Sequence, residues 1–329
     1  MAAANRNTLK RYPKAREQDP RETGLPFATV VIATKDRKEV LRSALRSVLA
    51  QKGDVETVVA DDGSSDGTPE MVAGEFPPVK LLRSVHSAGC IVQRNRGVAA
   101  ASANHVVMVD DDCTFDSPTT VQEAVQDLSA QRVGAVAMPF VNVCQGGHVQ
   151  KQAPSKDGVY VASSFIGCAH AVRRDIFLRL GGYWSPLVRY WEEPDFCFRL
   201  LDAGYVTRLG RSSPVLHHYV GLARSANRSR FFAARNPCMF AWHNVPWPYF
   251  PAHLLAVSAR ELRSYLHYGE FWATASGVLH GWGDGARHWS ERMAAPADTY
   301  RLFRKIKKLE PLRLEEIEHT LPPIRWPAP

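Results

Sequence analysis

The sequence predicts an α/β fold: a mostly parallel central sheet with helices on both faces, followed by a mainly helical C-terminal region. Two observations carry this reading. Short apolar runs rich in β-branched residues alternate with stretches whose apolar residues recur at helical spacing, the order a parallel sheet with crossover helices requires. Two of the predicted strands then end in acidic loops, at the sheet edge where open α/β sheets hold ligands.

The first strand is "FATVVIAT" from Phe27, and the helix after it places Val40, Leu41, Ala44, Leu45, Val48 and Leu49 on one face. A strand "VETVVA", a turn "DDGSSDG", a helix from Thr68 to about Phe76, a strand "VKLLRS", a helix "AGCIVQRNRGVAAASA" and a strand "HVVMV" continue the alternation. A helix near "SPTTVQEAVQDLSA", started by Ser117 and Pro118, and a single strand "VGAVAMPFVNV" extend the sheet. Past residue 145 the pattern loosens. It resumes as helix at "RRDIFLRLGG" and, after Pro194, at "DFCFRLLDAG", and from about Asn227 it is helical and rich in Trp, Arg and His.

Composition narrows the function. With 329 residues, 45% hydrophobic and 22% charged, the chain has the make-up of a soluble globular protein. Its 41 Lys and Arg against 33 Asp and Glu leave a charge of +8, which suits an anionic partner. That excess is spread along the chain, and the acidic loops argue against nucleic acid as the partner. Six cysteines without C-x-x-C spacing exclude a zinc ribbon or a disulfide framework and read as reduced thiols of a cytoplasmic protein. No stretch reaches the roughly 18 apolar residues of a membrane span, and the basic N-terminal segment lacks the apolar core of a signal peptide.

The chemistry concentrates in "HVVMVDDDCTF", where a buried strand runs into Asp110, Asp111 and Asp112. Three adjacent carboxylates repel one another unless donors or a cation compensate, and a cation with oxygen ligands is the functional answer. "DDGSSDG" is a turn by its own side-chain hydrogen bonds and lacks the glutamate that would complete a calcium loop. In "YWEEPDF", Pro194 suits the first turn of a helix and sets Glu192 and Glu193 at its mouth.

"ATVVIATKDR", "VVADDGSSDGT", "VVMVDDDC", "RRDIFLRLGGY" and "YWEEPDFCFRLLDAGY", in this order over residues 27 to 245, resemble family 2 glycosyltransferases. The resemblance implies a GT-A-like domain over residues 27–225, with a nucleotide-binding half at 27–115 and an acceptor half at 116–225. A flexible basic segment at 1–26 and a helical region at 226–329 flank it. It also implies a nucleotide-sugar donor and a divalent cation, Mn or Mg, held against the donor's diphosphate. Asp112 is the expected metal ligand. Asp110 and Asp111 are expected at ribose hydroxyls or metal-bound water, with Asp111 the ribose contact. Thr34, Asp36 and Asp62 are expected beside the nucleotide, Asp62 at a uracil or thymine ring N–H, although Asp36 also suits a helix N-cap. Arg94 and Arg96 are expected near the ribose or phosphates.

The acceptor hydroxyl needs a base. Relatives carry Glu-Asp with the Asp as base, whereas this chain has Glu193 in that slot, with Glu192 and Asp195 as alternates. A histidine after this point completes the metal shell in relatives; His217 and His218 alternate in direction if extended, so one of them fits. Trp184 and Trp191 are candidates to stack on a sugar, and Arg230, Arg235 and Asn236 to approach the diphosphate. A basic helix around Arg304, Lys305, Lys307 and Lys308, with a Leu302, Ile306, Leu309 seam, reads as a solvated face packed on the domain, and is also compatible with resting on a membrane's inner face.

The reading is a metal-dependent, inverting hexosyl- or deoxyhexosyltransferase that moves a sugar from a UDP- or dTDP-sugar to a hydroxyl of a glycan, glycolipid or lipid-linked acceptor. A non-catalytic nucleotide- or glycan-binding relative is the alternative. A sugar nucleotidyltransferase fits less well because "ATKDRKEV" has no glycine, and a dehydrogenase less still because G-x-G-x-x-G is absent there.

Overall fold

The computed structural model describes residues 24–218, 226–264 and 271–326. The expected flexible segment at 1–26 lies almost wholly outside the described residues. The strands are β1 (Ala28–Thr34), β2 (Val55–Asp61), β3 (Lys80–Arg83), β4 (His105–Asp110), β5 (Cys113–Phe115), β6 (Val133–Ala137), β7 (Phe140–Asn142), β8 (Val149–Gln150), β9 (Tyr160–Ala162), β10 (Ala169–Arg173), β11 (Val206–Leu209), β12 (Val215–His217) and β13 (Leu312–Arg313). The α-helices are α1 (Lys38–Leu49), α2 (Thr68–Glu75), α3 (Cys90–Ala100), α4 (Thr120–Asp127), α5 (Arg174–Arg179), α6 (Glu192–Asp202), α7 (Ala226–Asn244), α8 (Tyr249–Ser264), α9 (Phe271–Arg287) and α10 (Ala297–Leu309).

Nine strands form the central sheet in the order β13-β9-β11-β6-β10-β4-β1-β2-β3, and β5-β12-β7-β8 form a second, smaller one. The predicted parallel pattern holds from β4 through β1 and β2 to β3. In the other half β10 runs antiparallel to both β4 and β6, and β9 antiparallel to β11, so that half is mixed. The strand expected over "VGAVAMPFVNV" is two strands, β6 in the large sheet and β7 in the small one. Pro139 sits at the break, where the missing N–H cannot continue a ladder.

α1 buries Leu41, Ala44, Leu45 and Val48 at the spacing of one helical face. α3 packs closely on β1 because Gly97 has no side chain: a Cβ there would lie 2.3 Å from Val31 Cγ1. The apolar core runs unbroken from the sheet into α7, α8 and α10, through Cys238, Phe240, Leu254 and Ile306. Of the predicted seam on α10, Leu302 and Ile306 are buried in that core, as in a helix packed on the domain, and Leu309 is exposed. No helix among the described residues is long and apolar enough to cross a membrane.

Candidate active site

β4 ends at Asp110, and the chain passes through Asp111 and Asp112 into β5 of the small sheet. Parallel pairing of β1 with β4, with Ala33 opposite Asp110, brings Thr34 to Asp111, and Thr34 Oγ1 donates to Asp111 Oδ2 at 2.8 Å. Arg37, just before α1, spans the next two acids: Nη1 donates to Asp111 Oδ1 at 2.6 Å and Nη2 to Asp112 Oδ2 at 2.8 Å. Sequence reasoning missed Arg37, which lies 74 residues from Asp111 along the chain.

Pairing of β12 with β5 sets His217 opposite Cys113, which carries its ring to the aspartates. His217 Nε2 lies 3.3 Å from Asp112 Oδ1, while its Nδ1 is 2.7 Å from Asn142 Oδ1 on the neighbouring β7. An Nδ1–H donated to Asn142 leaves Nε2 facing the carboxylate. Strand alternation sends His218 the other way, where its Nε2 meets Thr114 Oγ1 at 2.8 Å. The structure therefore brings the His217 ring, and not the His218 ring, to the Asp112 carboxylate; His218 meets Asp112 through its backbone N–H, which donates to the Asp112 carbonyl at 2.9 Å.

The charges follow from these contacts. Burial opposes ionisation of Asp112, but the His217 hydrogen bond and the Arg37 charge overcome it and hold the carboxyl well below its ordinary range. His217 is raised in turn, against its own burial, by Asp112. Asp111 is pushed up to about 7 because desolvation outweighs Arg37 and Thr34.

Asp112, Cys113 and His217 each bring a ligand atom within 4.8 Å of the others. The donor chemistry selects among them. Burial keeps the Cys113 thiol protonated, with its pKa far above the ordinary value, and it points at the Cys168 carbonyl. A carboxylate and an imidazole remain, a set that fits a hard to borderline divalent ion such as Mn.

Across the site, α3 contributes Arg94. Its Nη2 donates to Asp110 Oδ1 at 2.5 Å and to the Gly167 carbonyl at 3.2 Å, and its Nη1 to Glu192 Oε1 at 2.9 Å. Glu192 and Glu193 open α6, as Pro194 implied. Glu193 Oε1 accepts the Gly167 N–H at 3.0 Å. Burial, and then the neighbouring Glu192 charge, push Glu193 up to about 8, while burial also raises Glu192 against the pull of Arg94. Gly167, also missed in the sequence, fits because a Cβ would lie 2.7 Å from Glu193 Oε1 and 3.0 Å from Arg94 Nη1.

Other predicted residues are committed elsewhere. Asp195 is fully buried and accepts from Arg199 at 2.6 Å and Asn244 at 2.7 Å, with His243 Nδ1 at 2.8 Å, so its oxygens have no room for a substrate proton. Asp62 accepts from Ser87, the Ala88 and Gly89 amides and Gln93, latching the loop before α3. Asp36 is not the cap of α1, a position taken by Arg37. With φ of 51° it turns back, so that its carboxylate accepts the Ser65 N–H at 2.7 Å. Arg96 bonds Ser84 and Gln93. Trp184 stacks on His243 at 4.0 Å, and Trp191 packs against Phe240. Arg235 pairs with Asp284, and Asn236 holds the carbonyls of Leu187, Arg189 and Tyr190. Arg230 lies near the start of α7.

Residues 29–181 match the family model described as glycosyl transferase family 2. The chain is 37% identical over 92 residues to the succinoglycan biosynthesis protein ExoO of Rhizobium meliloti, covering 27% of this chain and 26% of that protein. It is 25% identical over 239 residues to an N-acetylglucosaminyl-diphospho-decaprenol L-rhamnosyltransferase of Mycobacterium tuberculosis, covering 59% of this chain and 76% of that one. Of several curated relatives it spans only a quarter to about two fifths of their length. The mannosyltransferase PcManGT of Pyrobaculum calidifontis, solved with GDP-Man and Mn2+, shares the fold with a TM-score of 0.54 and 21% identity over 89% of this chain and 82% of that one. The fold is GT-A-like, and the match to glycosyl transferase family 2 spans the part of the sheet whose fourth strand ends in the triple aspartate.

Proposed function

We propose that the protein transfers a hexosyl or deoxyhexosyl group, with inversion, from a UDP- or dTDP-sugar to a hydroxyl of a glycan or lipid-linked acceptor, with the help of a divalent cation. The observation that carries this reading is the meeting of His217 Nε2 and Asp112 Oδ1 at 3.3 Å at the strand end, with Arg94 linking the adjacent Asp110 to Glu192, the neighbour of Glu193 on α6.

Asp112 and His217 would hold the cation, which when bound supplies Lewis-acid neutralisation of the leaving diphosphate. To ligate, His217 gives up its Nε2 proton, so metal affinity falls as pH drops through its raised pKa. Arg37, already at the aspartates, is placed to balance the remaining anionic charge. Glu193 is the base: its raised pKa makes it a stronger proton acceptor once ionised, and the Gly167 amide fixes its direction. Glu192, paired with Arg94, sets the local charge that keeps Glu193 basic. One base, with no second nucleophile positioned beside it among the described residues, suits a single in-line displacement.

The donor assignment rests on the family resemblance, and PcManGT, bound to GDP-Man, makes GDP a necessary comparison. Thermal stabilisation by UDP, dTDP and GDP, each with and without Mn, tests it. Metal-dependent stabilisation by one nucleotide that is lost in Asp112→Asn supports the reading. No stabilisation by any of them removes it and favours a binding relative whose site has changed. Contact with a membrane's inner face belongs to the same reading, as the place where a lipid-linked acceptor is met.

A further inference from the structure

The helices beyond the sheet leave large apolar side chains outside. Trp272 and Leu279 on α9 are 80% and 72% exposed, and Leu255 on α8 is 59% exposed. Periodicity explains the pattern. α9 turns Thr274, Gly277, Val278, Gly281 and Gly285 inward, and a Cβ on Gly277 or Gly281 would strike the α7 backbone at 2.4 Å or 2.5 Å. Trp272, Leu279 and Ala286 are therefore left on the opposite side. α8 buries Phe250, Leu254, Val257 and Ser258 and exposes Ala252, Leu255, Ala256 and Ala259. Trp282 joins the two stripes: its Nε1 donates to Ser258 Oγ at 2.9 Å while its ring stays partly exposed.

Cations border this surface. α10 turns Leu302, Phe303 and Ile306 inward and Arg304, Lys305, Lys307 and Lys308 outward. α8 and α10 are joined by His253 Nδ1 and Tyr300 Oη at 2.7 Å and by Arg301 donating to Tyr249 Oη at 3.1 Å. Arg260 of α8 then stands near Arg304 and Lys307, and burial together with these like charges pushes the Lys307 ammonium below its ordinary pKa. A groove of about 580 Å³ runs along Arg301, Arg304, Lys305, Lys307 and Lys308. The nearby acids are spent locally: Glu261 on Arg260, Asp298 on Arg301 and Glu310 on Lys151.

We propose that the apolar stripes of α8 and α9 and the cationic face of α10 form one docking surface for an anionic bilayer. Exposed tryptophan and leucine beside arginine and lysine match the two layers of a membrane interface, acyl boundary and anionic headgroups. The same surface on a second copy of this chain would set cations against cations. The inference stands on surface chemistry and holds whichever sugar is transferred.

Cosedimentation of the full chain with vesicles tests it, using phosphatidylcholine alone or with roughly a third phosphatidylglycerol. The expected result is binding to the anionic vesicles, weakened about tenfold or more by high salt. Trp272→Ser with Leu279→Ser should weaken it by about tenfold, and Lys305→Glu with Lys308→Glu should remove the preference for anionic lipid. Stabilisation by nucleotide should be unchanged in both double variants, so failure here is distinct from failure of the donor site. Absence of vesicle binding, or equal binding by wild type and both variants, overturns the proposal. Sedimentation velocity showing self-association that Trp272→Ser abolishes would instead give the surface to a second copy.

Discussion

Two acidic clusters, Asp110 to Asp112 and Glu192 to Asp195, look alike in sequence and are solved differently in three dimensions. Each contains one carboxylate held firmly ionised by partners, Asp112 by His217 and Arg37, Asp195 by Arg199 and His243. Burial also pushes carboxyls upward in each, Asp111 to about 7 in the first and Glu193 to about 8, together with Glu192, in the second. The difference lies in which member is committed. At the strand end the ionised acid faces a histidine ring whose Nε2 proton a cation would displace in the proposed site. On α6 the ionised acid is sealed into the core, and the basic one is only half-buried. Acidic residues in a run thus divide into structural and chemical ones by their partners.

The sharpest way to break this comparison is to neutralise the ionised member of each cluster. Asp112→Asn should cost about three orders of magnitude in transfer and abolish metal-dependent nucleotide binding, with a smaller loss of Tm than Asp195→Asn because Arg37 keeps Asp111 as a charge partner. Asp195→Asn should do the reverse in kind, costing about 3–5 kcal/mol in a denaturant titration because Arg199 is left buried without its partner. Nucleotide binding lost equally in both, at equal stability, would mean that the clusters are not divided as described.

Glu193→Gln should lower kcat by about a hundred- to a thousandfold, and it sharpens the comparison through pH. In the wild type kcat/KM should rise with pH and level off above about 8, whereas the variant should lose that limb. Stability should move the opposite way. A carboxyl raised in the fold contributes stability fully below its unfolded pKa and loses it as pH rises through about 8. Glu193→Gln should therefore gain Tm relative to wild type in alkaline buffer and not near pH 4.

Smaller effects follow from the supports. Gly167→Ala should lower transfer about ten- to a hundredfold by displacing both Glu193 and Arg94, with nucleotide stabilisation retained. Asn142→Ala, which frees the far side of the His217 ring, should weaken Mn affinity by about tenfold in a metal titration.

The strand-helix alternation, the acidic strand end and the start of α6 were legible because each rests on local spacing. The triad follows an apolar run, and Pro194 marks a first turn two residues after Glu192. Arg37 and Gly167 were not legible, because their partners stand 74 and 26 residues away along the chain and no periodicity links them. The split of "VGAVAMPFVNV" was signalled by Pro139, and reading through it merged two sheets into one. Strand alternation showed that His217 and His218 part company; only the pairing of β12 with β5 decides which one turns to Asp112. Asp195 looked like its neighbours Glu192 and Glu193 because burial of a carboxylate leaves no mark in composition.

Arg94 is bonded at once to Asp110, Glu192 and the carbonyl of Gly167, whose own N–H holds Glu193. Glu192 and Glu193 consequently titrate as one set: a proton gained by either changes the affinity of the other for its own. The midpoint of a pH–rate curve is then a property of four residues on three segments of chain. Withdrawing the Asp110 charge leaves Arg94 more fully to Glu192, and the midpoint attributed to Glu193 moves down without Glu193 being touched.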